Sequence, residues 1–197
     1  MIVSFVNEIP RHTVEKMEIA TKEAHNPIKQ DMKKEKLRQY PFQSLVNYGA
    51  IPQTWEDPTH KDPKTGLAGD NDPVDVCEIG SRILHIGEVR PVKVLGILGM
   101  IDEGEMDWKV IAIDAEDPNA KKLNSVADVE KLQPGKIGAI VNWFKHYKVP
   151  DGKPINSFAF DEKAQDVAFA LDVVSECHGA WKRKDVMKSK GLWVPDA

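Results

Sequence analysis

The sequence predicts an α+β domain that is mainly β, a small barrel flanked by two or three helices. Short apolar stretches interrupted by Gly and Pro fill the first two thirds of the chain, as is typical of small barrels and not of parallel α/β sheets. The last third changes to helical periodicity. Because 197 residues, 41% of them hydrophobic, suffice for one core, we expect a single domain over residues 1–197.

Four stretches in the first two thirds have the composition of strands. Residues 14–20 alternate between apolar and charged side chains, and residues 74–80, 85–101 and 108–114 are short, β-rich apolar runs. Residues 47–69 hold so many turn-forming residues that no regular element is expected over most of their length. A loop this long inside a compact domain is often functional.

Helices are expected towards the C-terminal end. Ser125 and Asp128 resemble a capping box before a short helix, and residues 136–148 repeat apolar side chains at helical spacing up to a stop at Gly152. Residues 162–183 should form the longest helix, with an apolar stripe made of Val167, Leu171, Val174 and Trp181. The tail, residues 188–197, shows no clear element.

Composition argues against several classes of partner. A net charge of −4 and a pI near 5.9 do not suit nucleic-acid binding, which needs a basic face. No apolar run reaches the ~18 residues that span a bilayer, so no membrane partner is expected. Cys77 and Cys177 lack zinc-binding spacing and favour a reducing, cytoplasmic setting. The sequence starts abruptly with a strand-like run, which is compatible with a longer precursor. In that case the expected location is an organelle.

The most informative segment is acidic and lies just before a predicted strand. Asp70, Asp72 and Asp75 place three carboxylates within six residues, which costs energy unless cations neutralise them. Such oxygen ligands suit Mg²⁺ or Ca²⁺. An EF-hand loop is excluded, because Asp75 stands where that loop requires Gly and Pro73 breaks its geometry. A solvated acidic turn remains the alternative.

A second acidic segment, residues 102–107, also leads into a strand. By itself it is compatible with a solvated hairpin loop. If the two acidic segments meet at one end of a sheet, they can hold several divalent ions, as a two-metal phosphoryl site requires. The basic residues beside predicted element ends can then bind phosphate oxygens; they are Lys16, Arg38, Lys109 and Lys148.

Motifs of other transfer enzymes are missing from the sequence. There is no GxxxxGK[ST] for a P-loop and no GxSxG for a serine nucleophile, and the six His residues show no metal spacing. The residues therefore favour a site that uses cations and carboxylates over one that uses an activated nucleophile.

The segment GDNDPVDVCEIG, residues 69–80, resembles the signature of family I soluble inorganic pyrophosphatases. The stretches VNEIPRHTVEKMEI, NYGAIPQTWEDP and WFKHYKVPDGKP resemble the animal and fungal branch of that family, and the resemblance covers roughly residues 2–183. It implies a five-stranded, OB-like barrel flanked by helices. It also implies Mg²⁺-dependent hydrolysis of inorganic diphosphate to two phosphates by a metal-activated water, without a covalent intermediate, and a homodimer.

The resemblance further implies a role for each site residue. Asp72 would be the general base. The metal ligands would be Asp70, Asp75, Asp102, Asp107 and Glu18, with Asp75 bridging two ions and Glu18 acting mainly through water. Glu8 would lie just outside this set. The two phosphoryl groups would be bound by Lys16, Arg38, Tyr48, Lys109, Tyr147 and Lys148.

The chain departs from that branch at one site position. The segment between Arg38 and Asn47 is shorter, and Ser44 stands where the branch has a tyrosine, so no catalytic tyrosine is assigned there. Tyr40 is a candidate to substitute for it in part.

Two other functions stay open from the sequence. One is a Mg²⁺-dependent hydrolase of nucleotides or short polyphosphates, which would need an aromatic pocket for a base or an open channel. The other is a non-catalytic module that binds divalent cations or phosphate. Asp72 argues against the second, because a pure binding site has no use for a base among its ligands.

Overall fold

The computed structural model describes residues 1–195, which hold ten strands and four α-helices. The strands are β1 (Ile2–Ile9), β2 (Met17–Ile19), β3 (Ile28–Gln30), β4 (Met32–Lys33), β5 (Lys36–Leu37), β6 (Asn47–Ala50), β7 (Asp75–Glu78), β8 (Val89–Asp102), β9 (Glu105–Asp114) and β10 (Ser157–Phe158). The helices are α1 (Val126–Leu132), α2 (Lys136–His146), α3 (Val167–Trp181) and α4 (Lys184–Ser189).

Five of the strands form a closed ring. They pair in the order β1, β6, β7, β9 and β8, and β8 pairs again with β1, so the sheet returns to its first strand. Short β10 adds to β8, while β2 with β3 and β4 with β5 form separate two-stranded sheets. The ring confirms the predicted mainly β class with five strands.

Strand β9 shows why both faces of the ring are apolar. All its residues but the first are buried, as in strands that are covered on both sides. Successive side chains alternate between two clusters: Ile111 and Ile113 pack towards α1 and α2, and Val110 and Ala112 pack with α3. Fully burying one such aliphatic side chain contributes roughly 1.5–3 kcal/mol.

The helices follow the predicted order, with corrections at the third. Ser125 caps α1 as predicted, its hydroxyl accepting from Asp128 N at 3.2 Å. The longest helix, α3, begins at Val167 and not at residue 162, because Asp166 caps it, its side chain accepting from Phe169 N at 2.9 Å, and because residues 160–162 all have positive φ. Its fully buried residues are Ala170, Val173 and Cys177, and the predicted stripe is only partly buried.

The C-terminal region adds the short helix α4, which the sequence did not predict and which makes a fourth where two or three were expected. The predicted tail overlaps its end, and residues 196–197 lie outside the described residues. Within residues 1–195, none of the helices has both the length and the hydropathy that crossing a bilayer demands.

The second acidic segment is a tight β-hairpin between β8 and β9. Its two turn residues, Glu103 and Gly104, have φ of 50° and 93°, the left-handed conformation that two-residue hairpin turns require. Asp102 therefore pairs with Glu105 across the hairpin. Asp107 lies two residues further along β9 and faces the same side as Lys109.

Strand pairing brings the first acidic segment beside this hairpin. Strands β7 and β9 run parallel with Asp75 opposite Lys109, and Gly69 forms a bridge to Met106. A Cβ at Gly69 would lie 2.4 Å from the backbone carbon of Glu56, so only glycine allows this close approach. Acidic segments that begin 32 positions apart in the chain, at Asp70 and Asp102, thus lie side by side.

Candidate active site

A cavity of about 490 Å³ opens where the two acidic segments meet. Every site residue predicted from the sequence lines it: Lys16, Glu18, Arg38, Tyr48, Asp70, Asp72, Asp75, Asp102, Asp107, Lys109, Tyr147 and Lys148. Glu8 and Tyr40 line it as well. The structure thus brings the predicted residues together in one place, whereas the role of each remains a prediction.

The loop that carries Asp70 and Asp72 is fixed from behind by the segment at Trp55 and Glu56. Backbone hydrogen bonds join Glu56 N to Asp72 O at 2.8 Å and Asn71 N to Glu56 O at 2.9 Å. The buried indole of Trp55 donates to Asn71 Oδ1 at 3.1 Å, and Asn71 has a left-handed φ of 77°. These contacts hold the loop against the ring and leave its carboxylates facing the cavity.

Lys109 is the most deeply buried cation of the site, with 2% of its side chain exposed. Its Nζ donates to Asp107 Oδ1 at 2.5 Å, to Tyr48 Oη at 2.8 Å and to Asp75 Oδ2. Tyr48 Oη in turn donates to Asp75. Burial alone would lower the pKa of Lys109, but the carboxylates of Asp107 and Asp75 outweigh it and raise that pKa well above its usual value.

Three further cations lie nearer the rim, each beside a carboxylate. Lys16 donates to Glu18 and, at 2.9 Å, to Asp31, and Arg38 donates to the same oxygen of Asp31 at 2.5 Å. Lys148 donates to Asp102. Asp31 therefore orients two predicted phosphate-binding residues at once.

Burial and mutual repulsion raise the pKa values of several carboxyl groups here. Desolvation, followed by the charge of Asp75, raises the pKa of Glu8 to about 8 and that of Asp72 to about 6. Desolvation raises the pKa of Asp107 to about 7, although Lys109 opposes the shift, and it raises the pKa of Asp70 well above its usual value. Nearby cations stabilise the ionised form of such carboxyl groups.

The carboxylates fit a divalent metal ion. One oxygen each from Glu56, Asp70 and Asp107 lies within 4.8 Å of the others. Two buried carboxylate oxygens, Glu56 Oε2 and Asp102 Oδ1, have no hydrogen-bond partner in residues 1–195, although buried polar atoms are nearly always paired. Oxygen-only ligand sets of this kind suit hard cations. Asp75 is not in this group of three, and one of its oxygens accepts from both Lys109 and Tyr48.

Sequence reasoning missed two residues of this site. Glu56 is 2% exposed, accepts a hydrogen bond from Trp108 N at 2.8 Å, and completes the group with Asp70 and Asp107. Desolvation, then the charge of Asp70, raises its pKa well above its usual value. Asp31 is the other. An acid directly after a large apolar residue inside a turn-rich segment was the available signal for Glu56, and no comparable signal marks Asp31.

Ser44 does not take part in the cavity. Its side chain is buried, and its hydroxyl donates to Val46 O at 2.7 Å. It lines a separate, water-sized apolar cavity of about 10 Å³.

Fold and site together define a protein that can hold cations and a small, phosphate-rich anion in one cavity. The family profile described as inorganic pyrophosphatase matches residues 5–182. The human protein named inorganic pyrophosphatase is 55% identical over 198 residues, which cover 98% of this chain and 68% of the human one. A Chlamydomonas reinhardtii protein named soluble inorganic pyrophosphatase 1, chloroplastic, is 55% identical over 90% of this chain and 63% of its own.

A solved structure agrees with these sequence matches. The inorganic pyrophosphatase of Schistosoma japonicum superposes with a TM-score of 0.91 at 54% identity, covering 93% of this chain and 66% of that one. This chain thus spans about two thirds of the length of its relatives. The chain belongs to the inorganic pyrophosphatase family, whose name denotes hydrolases that act on inorganic diphosphate.

Proposed function

We propose that this chain hydrolyses inorganic diphosphate to two phosphates, with Mg²⁺ as its metal and water as the attacking group. The observation that supports this best is the meeting of two acidic segments and four cationic side chains in one cavity of a chain from this family. Diphosphate is highly charged, so an anionic attacking group is repelled unless cations offset the charge. No covalent intermediate is proposed.

The carboxylates that would hold Mg²⁺ come from both acidic segments and from two neighbouring elements. They are the predicted Asp70, Asp75, Asp102, Asp107 and Glu18, with Glu56 added by its position beside Asp70 and Asp107. When bound there, divalent ions supply charge neutralisation and lower the pKa of a coordinated water. Asp75, Asp102, Asp107 and Glu18 lie on strands, and backbone hydrogen bonds hold the loop with Asp70 against the segment at Glu56.

Asp72 would orient the attacking water and take its proton. It projects into the cavity from the same loop as Asp70, and none of the cations of the site is within hydrogen-bonding distance of it in residues 1–195. In the metal-free chain, desolvation followed by the charge of Asp75 raises its pKa to about 6. The proton would therefore pass from water to a free carboxylate oxygen of Asp72.

The two phosphoryl groups would be bound by the cations and tyrosines that line the cavity: Lys16, Arg38, Tyr48, Tyr147, Lys148 and the deeply buried Lys109. Arg38 offers a forked donor, and each lysine offers a point charge. These cations now contact carboxylates. When metal ions neutralise those carboxylates, the cations can bind phosphate oxygens instead.

A phosphate-release assay tests this function. With Mg²⁺ as the only metal, the purified chain should release two phosphates per diphosphate and should lose activity when the metal is chelated. Diphosphate should be preferred over tripolyphosphate and ATP, in line with the family to which the chain belongs. Faster turnover of ATP would favour the nucleotide hydrolase, and no phosphate release from any of them would favour a pure binding module.

Two further properties stay predictions. The family resemblance supports a homodimer, and sedimentation velocity of the purified chain would show whether one mass or twice that mass is present. The cytoplasmic location is equally a prediction, and a fluorescent fusion of the full-length protein would test it against an organelle.

A further inference from the structure

All three tyrosines of the chain line the same cavity. The sequence contains only Tyr40, Tyr48 and Tyr147, and each borders the space between the two acidic segments. Two of them belong to the proposed phosphate-binding set, and Tyr40 has no assigned role. Its place beside the other two therefore requires an explanation.

The backbone aims Tyr40 into the cavity together with Arg38. Arg38 N is bonded to Asp31 O and Tyr40 N to Val14 O, at 2.8 and 2.7 Å, so this stretch is held in an extended form against neighbouring segments. Residues two apart in an extended chain point to the same side. Both side chains line the cavity accordingly.

Aromatic neighbours hold the Tyr40 ring in one orientation. Its ring meets Trp143 edge-to-face at a centroid distance of 5.0 Å and Tyr147 edge-to-face at 5.5 Å. Trp143 and Tyr147 in turn stack on each other at 5.3 Å. Edge-to-face packing of this kind restricts the ring, so its hydroxyl is pre-positioned.

The hydroxyl of Tyr40 makes no hydrogen bond within the described residues, whereas that of Tyr48 makes two. Tyr48 donates to Asp75 and accepts from Lys109, whereas the Tyr40 hydroxyl makes no hydrogen bond to any residue in the described range 1–195. Desolvation raises the pKa of Tyr40, so the group stays protonated and remains a donor at neutral pH.

We propose that Tyr40 is a substrate-binding residue whose hydroxyl donates a hydrogen bond to a phosphoryl oxygen of diphosphate. This inference rests on the proposed function. A phenol suits the position because it adds a donor without adding charge beside Lys109 and Arg38, where a further cation would be repelled.

The variant Tyr40→Phe isolates the hydroxyl, because the ring and its packing are kept. Losing a hydrogen bond to a charged oxygen should lower kcat/KM for diphosphate roughly 10- to 100-fold. The affinity for methylenediphosphonate, a non-hydrolysable analogue, should fall by a similar factor in calorimetric titration with Mg²⁺ present. The melting temperature should stay unchanged, because the hydroxyl has no partner in the described chain.

The matched control is Ser44→Ala, which removes a buried hydroxyl that serves only Val46. It should lower the melting temperature and leave kcat/KM unchanged, the reverse of Tyr40→Phe. An unchanged kcat/KM and analogue affinity in Tyr40→Phe overturns the inference, as does a lower melting temperature with unchanged analogue affinity. If the wild-type chain releases no phosphate, the proposed function fails, and the analogue titration alone still decides the role of Tyr40.

Discussion

Asp72 differs from the other acids of its loop in what its carboxylate contacts. Asp75 accepts from Lys109 and Tyr48, and an oxygen of Asp70 lies within 4.8 Å of oxygens of Glu56 and Asp107. The Asp72 carboxylate makes no hydrogen bond or ion pair within residues 1–195, and the hydrogen bonds of Asp72 are made by its backbone. A carboxylate that is free of such partners is available to accept a proton. At the scale of single residues, this difference in carboxylate partners distinguishes the proposed general base from the proposed metal ligands.

Asp72→Asn should therefore lower kcat by about 100-fold or more while leaving Mg²⁺ affinity nearly unchanged, since general-base catalysis contributes about that much. Phosphate release and calorimetric metal titration measure the two effects separately. Asp172→Asn, an exposed acid on α3, is the control and should change neither. Full activity in Asp72→Asn would remove Asp72 from the mechanism.

Glu56→Gln tests the metal-binding role that only the structure suggested. The amide oxygen can still accept from Trp108 N, but the unpartnered Oε2 and its charge are lost. Mg²⁺ affinity should fall roughly 10- to 100-fold, as is typical when a group beside a metal is neutralised. Glu176→Gln, an exposed acid paired with Lys64, should leave the titration unchanged. Equal affinities for both variants would contradict the role of Glu56.

At the scale of elements, the site depends on how closely the loop at Gly69 approaches the segment at Glu56. Gly69→Ala would place a Cβ 2.5 Å from Glu56 O, and the loop with Asp70 would have to move away. We expect a loss of about 1–3 kcal/mol in the free energy of unfolding, as overpacking commonly causes, together with weaker Mg²⁺ binding.

Urea unfolding and metal titration check this expectation against Gly138→Ala. Gly138 lies exposed in α2, and a Cβ there would meet nothing within 4 Å, so this change should stabilise by up to about 1 kcal/mol. If both alanine variants behave alike, the close approach at Gly69 does not hold the loop in place.

Elements with strong local patterns could be predicted from the sequence, and those decided by distant contacts could not. Strand β9 and the cap of α1 were recognisable from apolar composition and from Ser125. Strand β6 was not predicted, because its Gly49 suggested a turn. In the structure this glycine is required by packing, since a Cβ there would lie 2.0 Å from Val6 O. The start of α3 was placed too early, although Asp166 is a local cap signal, because nothing local marks the positive φ of residues 160–162.

At the scale of the whole molecule, the buried acids make the metal-free chain sensitive to pH. Glu8, Asp107 and Asp72 have folded pKa values of about 8, 7 and 6, above their ordinary values near 4. Between pH values near 4 and about 8 the folded chain binds more protons than the unfolded chain, so the free energy of unfolding falls as pH rises. The raised pKa of Lys109 affects the pH dependence of stability only at pH values above this window.

The melting temperature in chelator should therefore drop between about pH 5 and about pH 8. Saturating Mg²⁺ should remove most of this slope, because bound cations favour the ionised carboxylates. Thermal unfolding at both pH values, with and without Mg²⁺, measures the effect. A melting temperature in chelator that rises or stays level over this window would contradict the account.

The candidate site was also predictable only in part. The two acidic segments and the cations were recognisable as candidates from residue types and from the family resemblance. That Glu56 completes a group with Asp70 and Asp107 follows from its hydrogen bond to Trp108, 52 positions away, which no local pattern encodes. Asp31 likewise matters only because the fold brings Lys16 and Arg38 to it.

Anomalous diffraction from a crystal soaked in Mn²⁺ tests the central claim, that the two acidic segments bind cations jointly. Mn²⁺ shares the oxygen ligands and octahedral geometry of Mg²⁺. The account predicts strong peaks within bonding distance of carboxylates from both segments, with Asp70 and Asp107 sharing at least one ion. Peaks confined to one segment, or none in the cavity at millimolar Mn²⁺, would contradict it.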